Sequence, residues 1–227
     1  MNRLFVKLLL LSLSFDFIPA QYNETATVAY LQNYRDLYKE MRLEGLVNYK
    51  AFAAAMKGYD HIDVPNKSVL SLIDFTLPSN KERYFLFDME DKCIIITSLV
   101  SHGRRSGNEL VPNFFSNKEG SYKSSLGFYL TAEAYDGING YSLSVDGLEE
   151  EFNSNARSRD IVIHGAHYAS YHYMWKHNGK LGRSLGCPAF PYELNDTIID
   201  YIKDGTILFI YSDNQYYLSK SKILQAK

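Results

Sequence analysis

From residue 69 onward the chain breaks into short runs of β-branched, aliphatic and aromatic residues, each closed by turn-forming residues. Val69 to Phe75, Arg83 to Asp88, Lys92 to Val100, Leu126 to Ala134, Tyr141 to Val145, Asp160 to Ile163 and Thr206 to Ser212 read as strands. Pro78-Ser79-Asn80, Asp136-Gly137 and Asn139-Gly140 read as turns between them. Runs this short cannot assemble a helical bundle; they must bury their faces in a sheet. The aromatic content of 15%, carried by 19 Tyr and 13 Phe, agrees, because these rings favour a pleated, half-buried surface. Helical spacing is confined to three places. Ala29, Leu31, Tyr34, Leu37, Tyr38 and Met41 predict a helix within residues 24–42. A second runs over Leu46 to Met56, with Asn48 as N-cap and Gly58 as stop. A third spans Asn195 to Lys203, with Asn195 as N-cap. The expected fold is mainly β, a catalytic-sized domain over residues 63–227 preceded by a helical extension over residues 21–62.

The first twenty residues have another logic. Arg3 and Lys7 precede the apolar run Leu8 to Phe15, and Ile18-Pro19-Ala20 ends in a small residue. This is the order of a secretory signal peptide cleaved after Ala20, with an apolar run too short to span a bilayer. The expectation is an exported protein of the periplasm or cell envelope, with no membrane span after signal removal. A formal charge of −2, from 24 basic and 26 acidic residues, excludes a polybasic nucleic-acid binder. Two cysteines make no disulfide framework, and no CxxC pair suggests zinc. Export leaves a Cys93–Cys187 disulfide open. Cys93, in Cys93-Ile94-Ile95-Ile96-Thr97, reads as a buried strand residue.

Reactive residues gather around glycines in two stretches. In Ile161-Val162-Ile163-His164-Gly165-Ala166-His167 a β-branched strand runs into a histidine, which the sheet holds while its ring faces a cleft. In Gly182-Arg183-Ser184-Leu185-Gly186-Cys187-Pro188-Ala189-Phe190 a cysteine sits in an irregular loop. A thiol becomes a nucleophile beside an imidazole or a cation, so Cys187 with His164 as base, and Arg183 nearby, contains the parts for acyl transfer through a thioester. A main-chain carbonyl or a carboxylate would hold the ring. The N–H groups of Gly186 and Cys187 are candidates for an oxyanion hole. No cofactor and no metal is required. The plainer alternative is a buried structural thiol and a satisfied strand-end histidine. His167 and His102 are further candidates for the cleft. His172 and His177 lie in a Tyr-rich insertion with Tyr168, Tyr171, Tyr173 and Trp175, either a packed flap or a lid.

The pair Ile163-His164-Gly165 and Ser184-Leu185-Gly186-Cys187 resembles the signature of the L,D-transpeptidases. Gly182-Arg-Ser-Leu-Gly-Cys-Pro-Ala189 is similar to that of their variant group, the murein L,D-transpeptidase catalytic domain family. Ile73 to Asn80, His102 to Gly107, Phe115-Ser116-Asn117, Ser124 to Tyr129 and Gly140 to Leu148 resemble it in the same order, so the likeness covers roughly residues 44 to 212. The resemblance implies a β-sandwich-like catalytic domain with Cys187 as nucleophile, His164 as general base and the Gly165 carbonyl orienting the imidazole. Arg183, Ser184, His167 and His102 would contact substrate. That substrate would be the peptidoglycan stem peptide, cleaved with release of D-Ala and joined to an amine as a 3→3 cross-link. Hydrolysis by the same residues would make an L,D-carboxypeptidase, and loss of activity a peptidoglycan-binding module. The chain departs from the better-known members at Leu185, where His is usual, and at Pro188 and Ala189, near where many carry Arg. Arg183 is the expected replacement for that Arg.

Overall fold

A computed structural model describes residues 34–108 and 110–226. The signal-peptide reading and the first part of the first expected helix lie outside the described residues. Two helices come first, α1 (Arg35–Glu40) and α2 (Tyr49–His61). Asn48 caps α2 as expected, its side chain accepting the Lys50 N–H at 3.0 Å. Gly58 does not end the helix, which continues to His61. Its missing side chain serves packing: a Cβ there would lie 2.0 Å from the Phe128 ring. Ala51, Ala53, Ala54 and Ala55 are fully buried. Ala51, Ala54 and Ala55 share the face of Gly58 and let α2 approach the sheet closely, and Phe52 meets Phe87 edge to face at 5.6 Å.

Among the described residues eight strands form one sheet: β1 (Val69–Asp74), β2 (Tyr84–Asp88), β3 (Cys93–Ser98), β4 (Gly127–Gly137), β5 (Gly140–Gly147), β6 (Val162–Gly165), β7 (Ala189–Phe190) and β8 (Ile207–Tyr211). Their order is β3-β2-β1-β8-β4-β5-β6-β7. Only β1 with β8 and β6 with β7 pair in parallel. The mainly β expectation holds, and the sheet curls back on itself. The Ser101 N–H just beyond β3 donates to the Ala189 carbonyl of β7 at 2.8 Å, and Tyr84 of β2 meets Phe190 of β7 at 4.8 Å. Helix α4 (Tyr192–Ile202) touches β5 and β6 and also β1. It starts three residues before Asn195. That residue is not a cap; it is buried inside the helix and its Nδ2 donates to the Tyr141 carbonyl at 2.8 Å. The 23-residue gap between the two reactive motifs is closed by β6–β7 pairing, which sets His164 beside Ala189, two residues past Cys187.

Cys93 opens the edge strand β3 and is exposed, whereas Cys187 is buried; both are free thiols. The expectation of a buried Cys93 fails because an edge strand covers only part of its surface. No helix among the described residues is long and apolar enough to cross a membrane.

Candidate active site

The loop carrying Cys187 is fixed by main-chain and serine contacts. Gly186 adopts φ 137°, in the region that favours glycine, and a Cβ there would lie 2.9 Å from the Lys123 carbonyl. Ser184 Oγ donates to the Cys187 carbonyl at 2.6 Å and accepts the Gly186 N–H at 3.0 Å. Ser124 Oγ donates to the Gly186 carbonyl at 3.2 Å and accepts the Gly103 N–H at 3.0 Å. The Ser184 N–H in turn donates to the His102 carbonyl. Three separate segments are thus tied together around the thiol.

His164 is buried at the end of β6, and its Nδ1–H donates to the Gly165 carbonyl at 3.0 Å. A carbonyl only accepts, so Nδ1 carries the proton and Nε2 is left as the basic nitrogen. Burial pushes the imidazole below its ordinary range, which keeps it neutral at pH 7. The Cys187 Sγ–H donates to the Asp160 carbonyl at 3.4 Å. Burial raises this thiol above its ordinary value; the Val162 N–H and the Arg159 guanidinium oppose that rise. Cys187 and His164 share a cavity of about 420 Å³ whose wall includes Tyr122, Arg159, Asp160 and Tyr168.

Arg159 is a site residue that the motifs did not single out. Its Nη1 donates to the Ser116 carbonyl at 2.7 Å and Ser125 Oγ at 3.1 Å, and its Nη2 to the Lys123 carbonyl at 2.6 Å and Ser121 Oγ at 3.4 Å. All four partners are neutral, so the guanidinium keeps its full charge beside Cys187. No spacing rule finds it, because its partners are main-chain and serine oxygens of a distant loop.

The other expected contacts fall elsewhere. Gly186 gives its N–H to Ser184 Oγ and not to the cavity, so the expected oxyanion pair is not assembled from that donor; the Cys187 N–H lies beside its own sulfur. Ser184 is a buried brace inside the loop. His102 is fully buried, its Nδ1 accepting from Arg83 Nη2 at 2.8 Å and its Nε2–H donating to the Asn108 carbonyl at 3.2 Å. Burial, then the Arg83 charge, pull its pKa down to about 3, so it braces the core and does not face substrate. Arg183 reaches the Gly107 carbonyl at 3.3 Å. His167 is exposed and lines a neighbouring cavity with His172, Tyr173 and Tyr192. The Tyr-rich insertion folds as a single 3₁₀ turn (His167–Ala169) and helix α3 (Tyr171–Lys176), started by Ser170 Oγ accepting the Tyr173 N–H. It stands beside the Cys187 cavity and lends it Tyr168, while Trp175 stays 74% exposed. Among the described residues no three His, Cys, Asp or Glu side chains converge where a metal ion could be held.

A family model described as the L,D-transpeptidase catalytic domain matches residues 43–211. No curated protein matches the chain at a significant level. Two solved structures are similar. An L,D-transpeptidase from Mycobacterium smegmatis aligns at 11% identity and TM-score 0.39, covering 64% of this chain and 59% of that one. An L,D-transpeptidase from Xylanimonas cellulosilytica aligns at 15% identity and TM-score 0.34, covering 62% and 59%. The chain thus spans about three fifths of the length of each.

Proposed function

The chain belongs to the L,D-transpeptidase catalytic domain family, and from that membership we propose that it is an exported cysteine acyltransferase acting on peptidoglycan stem peptides. The observation that carries the reading is the bond from His164 Nδ1–H to the Gly165 carbonyl, which leaves Nε2 as the free base of a cavity shared with Cys187.

The reaction follows from that tautomer. The Cys187 thiol leaves the Asp160 carbonyl and passes its proton to His164 Nε2 as sulfur attacks the carbonyl carbon of the third stem residue. The tetrahedral intermediate collapses, the amide bond to D-Ala breaks, and the imidazolium returns the proton to the departing amine. The thioester on Cys187 is then attacked by the side-chain amine of a second stem. His164 takes the amine proton and gives it to the sulfur as the new amide forms. Arg159 lowers the cost of developing negative charge on sulfur by its field. Water in place of the amine turns the same site into a carboxypeptidase. Residues 1–20 supply the export signal in this reading.

Mass spectrometry of the purified protein incubated with disaccharide-tetrapeptide, beside a Cys187→Ala control, tests this. Cross-linked dimers or loss of D-Ala from the unsubstituted protein alone is the expected result, and the product identifies the acceptor. Absence of both products and of an acyl adduct on Cys187 overturns it.

A further inference from the structure

Two arginines packed on a residue of the cavity wall have no role in the chemistry above. Arg104 and Arg105 are both exposed, and their guanidinium carbons lie 4.5 Å and 5.1 Å from the centre of the Tyr122 ring. Tyr122 in turn lines the cavity of Cys187 and His164. We propose that Arg104 and Arg105, held over Tyr122, form a subsite that recognises carboxylates of an anionic peptide entering this cavity. The inference rests on the stem-peptide reading and names the part of that substrate this subsite selects.

The backbone around the two arginines is anchored on every side. The Gly103 N–H donates to Ser124 Oγ, the Arg104 N–H to the Ser184 carbonyl at 2.8 Å and the Arg105 N–H to the Tyr122 carbonyl at 3.1 Å. Ser106 Oγ accepts the Ser124 N–H at 2.8 Å. A Cβ on Gly103 would lie 2.7 Å from the Tyr122 carbonyl, so the two segments touch at main-chain distance. Tyr122 itself holds φ 55°, a left-handed conformation that a bulky side chain adopts only when its surroundings impose it. Strain of this kind collects at ligand clamps.

The charges are free to act. Among the described residues neither guanidinium has a hydrogen-bond or carboxylate partner, and Glu119, which also lines the cavity, pairs with neither. A guanidinium lying over a ring uses its face, and its N–H edges stay open in the fork that matches a carboxylate. Stacking also restricts two long side chains before ligand arrives, which reduces the ordering cost of binding. Arg159, which lines the cavity itself, adds a third positive charge to this end of a chain of net charge −2.

The test uses two disaccharide-tetrapeptides, one with free carboxylates and one with them amidated. Calorimetric titration into the Cys187→Ala protein measures binding, and turnover by the unsubstituted protein is followed in parallel. The Cys187→Ala protein is expected to bind the acidic peptide on the order of tenfold tighter than the amidated one, less so at high salt. Adding Arg104→Gln and Arg105→Gln should make the two peptides indistinguishable. Tyr122→Leu, which keeps both charges and removes their platform, should lose part of the discrimination. Equal discrimination with and without the arginines overturns the subsite, and leaves the proposed function standing if the unsubstituted protein turns over the tetrapeptide. No turnover overturns the proposed function, and the subsite then stands or falls on the titration alone. Failure of the acidic peptide to bind the Cys187→Ala protein overturns the subsite too.

Discussion

Cys187 Sγ–H donates to the carbonyl of Asp160 across 3.4 Å, and Asp160 presents that carbonyl from a left-handed backbone conformation with φ 53°. The proposed nucleophile therefore rests as a protonated thiol against an acceptor that cannot take its proton. In the proposed reaction the sulfur must exchange the carbonyl for His164 Nε2.

A protonated, buried resting thiol reacts slowly with alkylating agents, because the thiolate is the reactive form. The exposed Cys93 is an internal reference in the same chain. Peptide mass spectrometry after brief iodoacetamide treatment at pH 7.5 should find Cys93 labelled well before Cys187. Faster labelling of Cys187 would mean that the site rests as a thiolate–imidazolium pair, against the direction of both shifts.

Arg159 opposes the burial of the thiol, and its four neutral partners leave its charge uncompensated. Arg159→Gln is expected to move the alkylation midpoint of Cys187 to higher pH, and Arg159→Lys to move it back toward the unsubstituted protein. A loop that merely loosened would change the rate without moving the midpoint. Coincident pH profiles for the Gln variant and the unsubstituted protein would remove Arg159 from thiol activation.

The acid limb of acyl transfer should report His164. Burial depresses the imidazole, so it becomes the neutral base at a pH below its ordinary 6.5. The acid midpoint of D-Ala release is expected to lie below pH 6.5. His164→Ala should lower kcat/KM by about 10²–10⁴, the usual contribution of a general base. An acid midpoint above 6.5 would show that another group sets the limb.

How far the molecule is legible in its sequence depends on the length of each signal. Strands such as Val69–Asp74 and Ile207–Tyr211 are continuous apolar runs, and fully buried strands leave that trace. The pair Ala189–Phe190 is too short for any periodicity, yet its pairing with His164 is what joins the two reactive motifs. Gly58 and Asn195 look like a stop and a cap in one dimension. In three, the first makes room for the Phe128 ring and the second bonds the Tyr141 carbonyl. The glycine-containing loop after His102 suggests a cleft residue, but its environment is decided by burial and by Arg83, nineteen positions away. Arg159 and Arg83 both bind main-chain oxygens, whose positions no side-chain pattern encodes.

Gly58 offers a test of how α2 docks. Alanine in a helix interior gains about 1 kcal/mol over glycine in propensity. A Cβ 2.0 Å from the fully buried Phe128 ring costs about 1–3 kcal/mol as overpacking. The clash should win, and Gly58→Ala is expected to lower the urea midpoint. A raised midpoint would mean that α2 stands off from β4.

His102 links stability to acid. Its folded pKa is about 3 and its ordinary value 6.5, so between these the unfolded chain binds a proton that the native protein refuses. Stability then rises with pH: the contribution is complete above pH 6.5 and is lost progressively as pH falls toward 3. Burial is the main cause, and Arg83 adds to it, because its Nη2 already donates to Nδ1 and a second proton there would face a fully buried guanidinium. His164 adds a smaller slope of the same sign, since burial depresses it as well. His102→Gln keeps an acceptor for Arg83 and a donor for the Asn108 carbonyl but does not titrate. Urea unfolding at pH 7, 5.5 and 4.5 should therefore show a shallower loss of stability in the Gln variant, although its stability at pH 7 is lower because the amide fills the site less well. Parallel losses in the two proteins would mean that His102 is not the buried proton acceptor, and that the acid sensitivity comes from groups elsewhere in the fold.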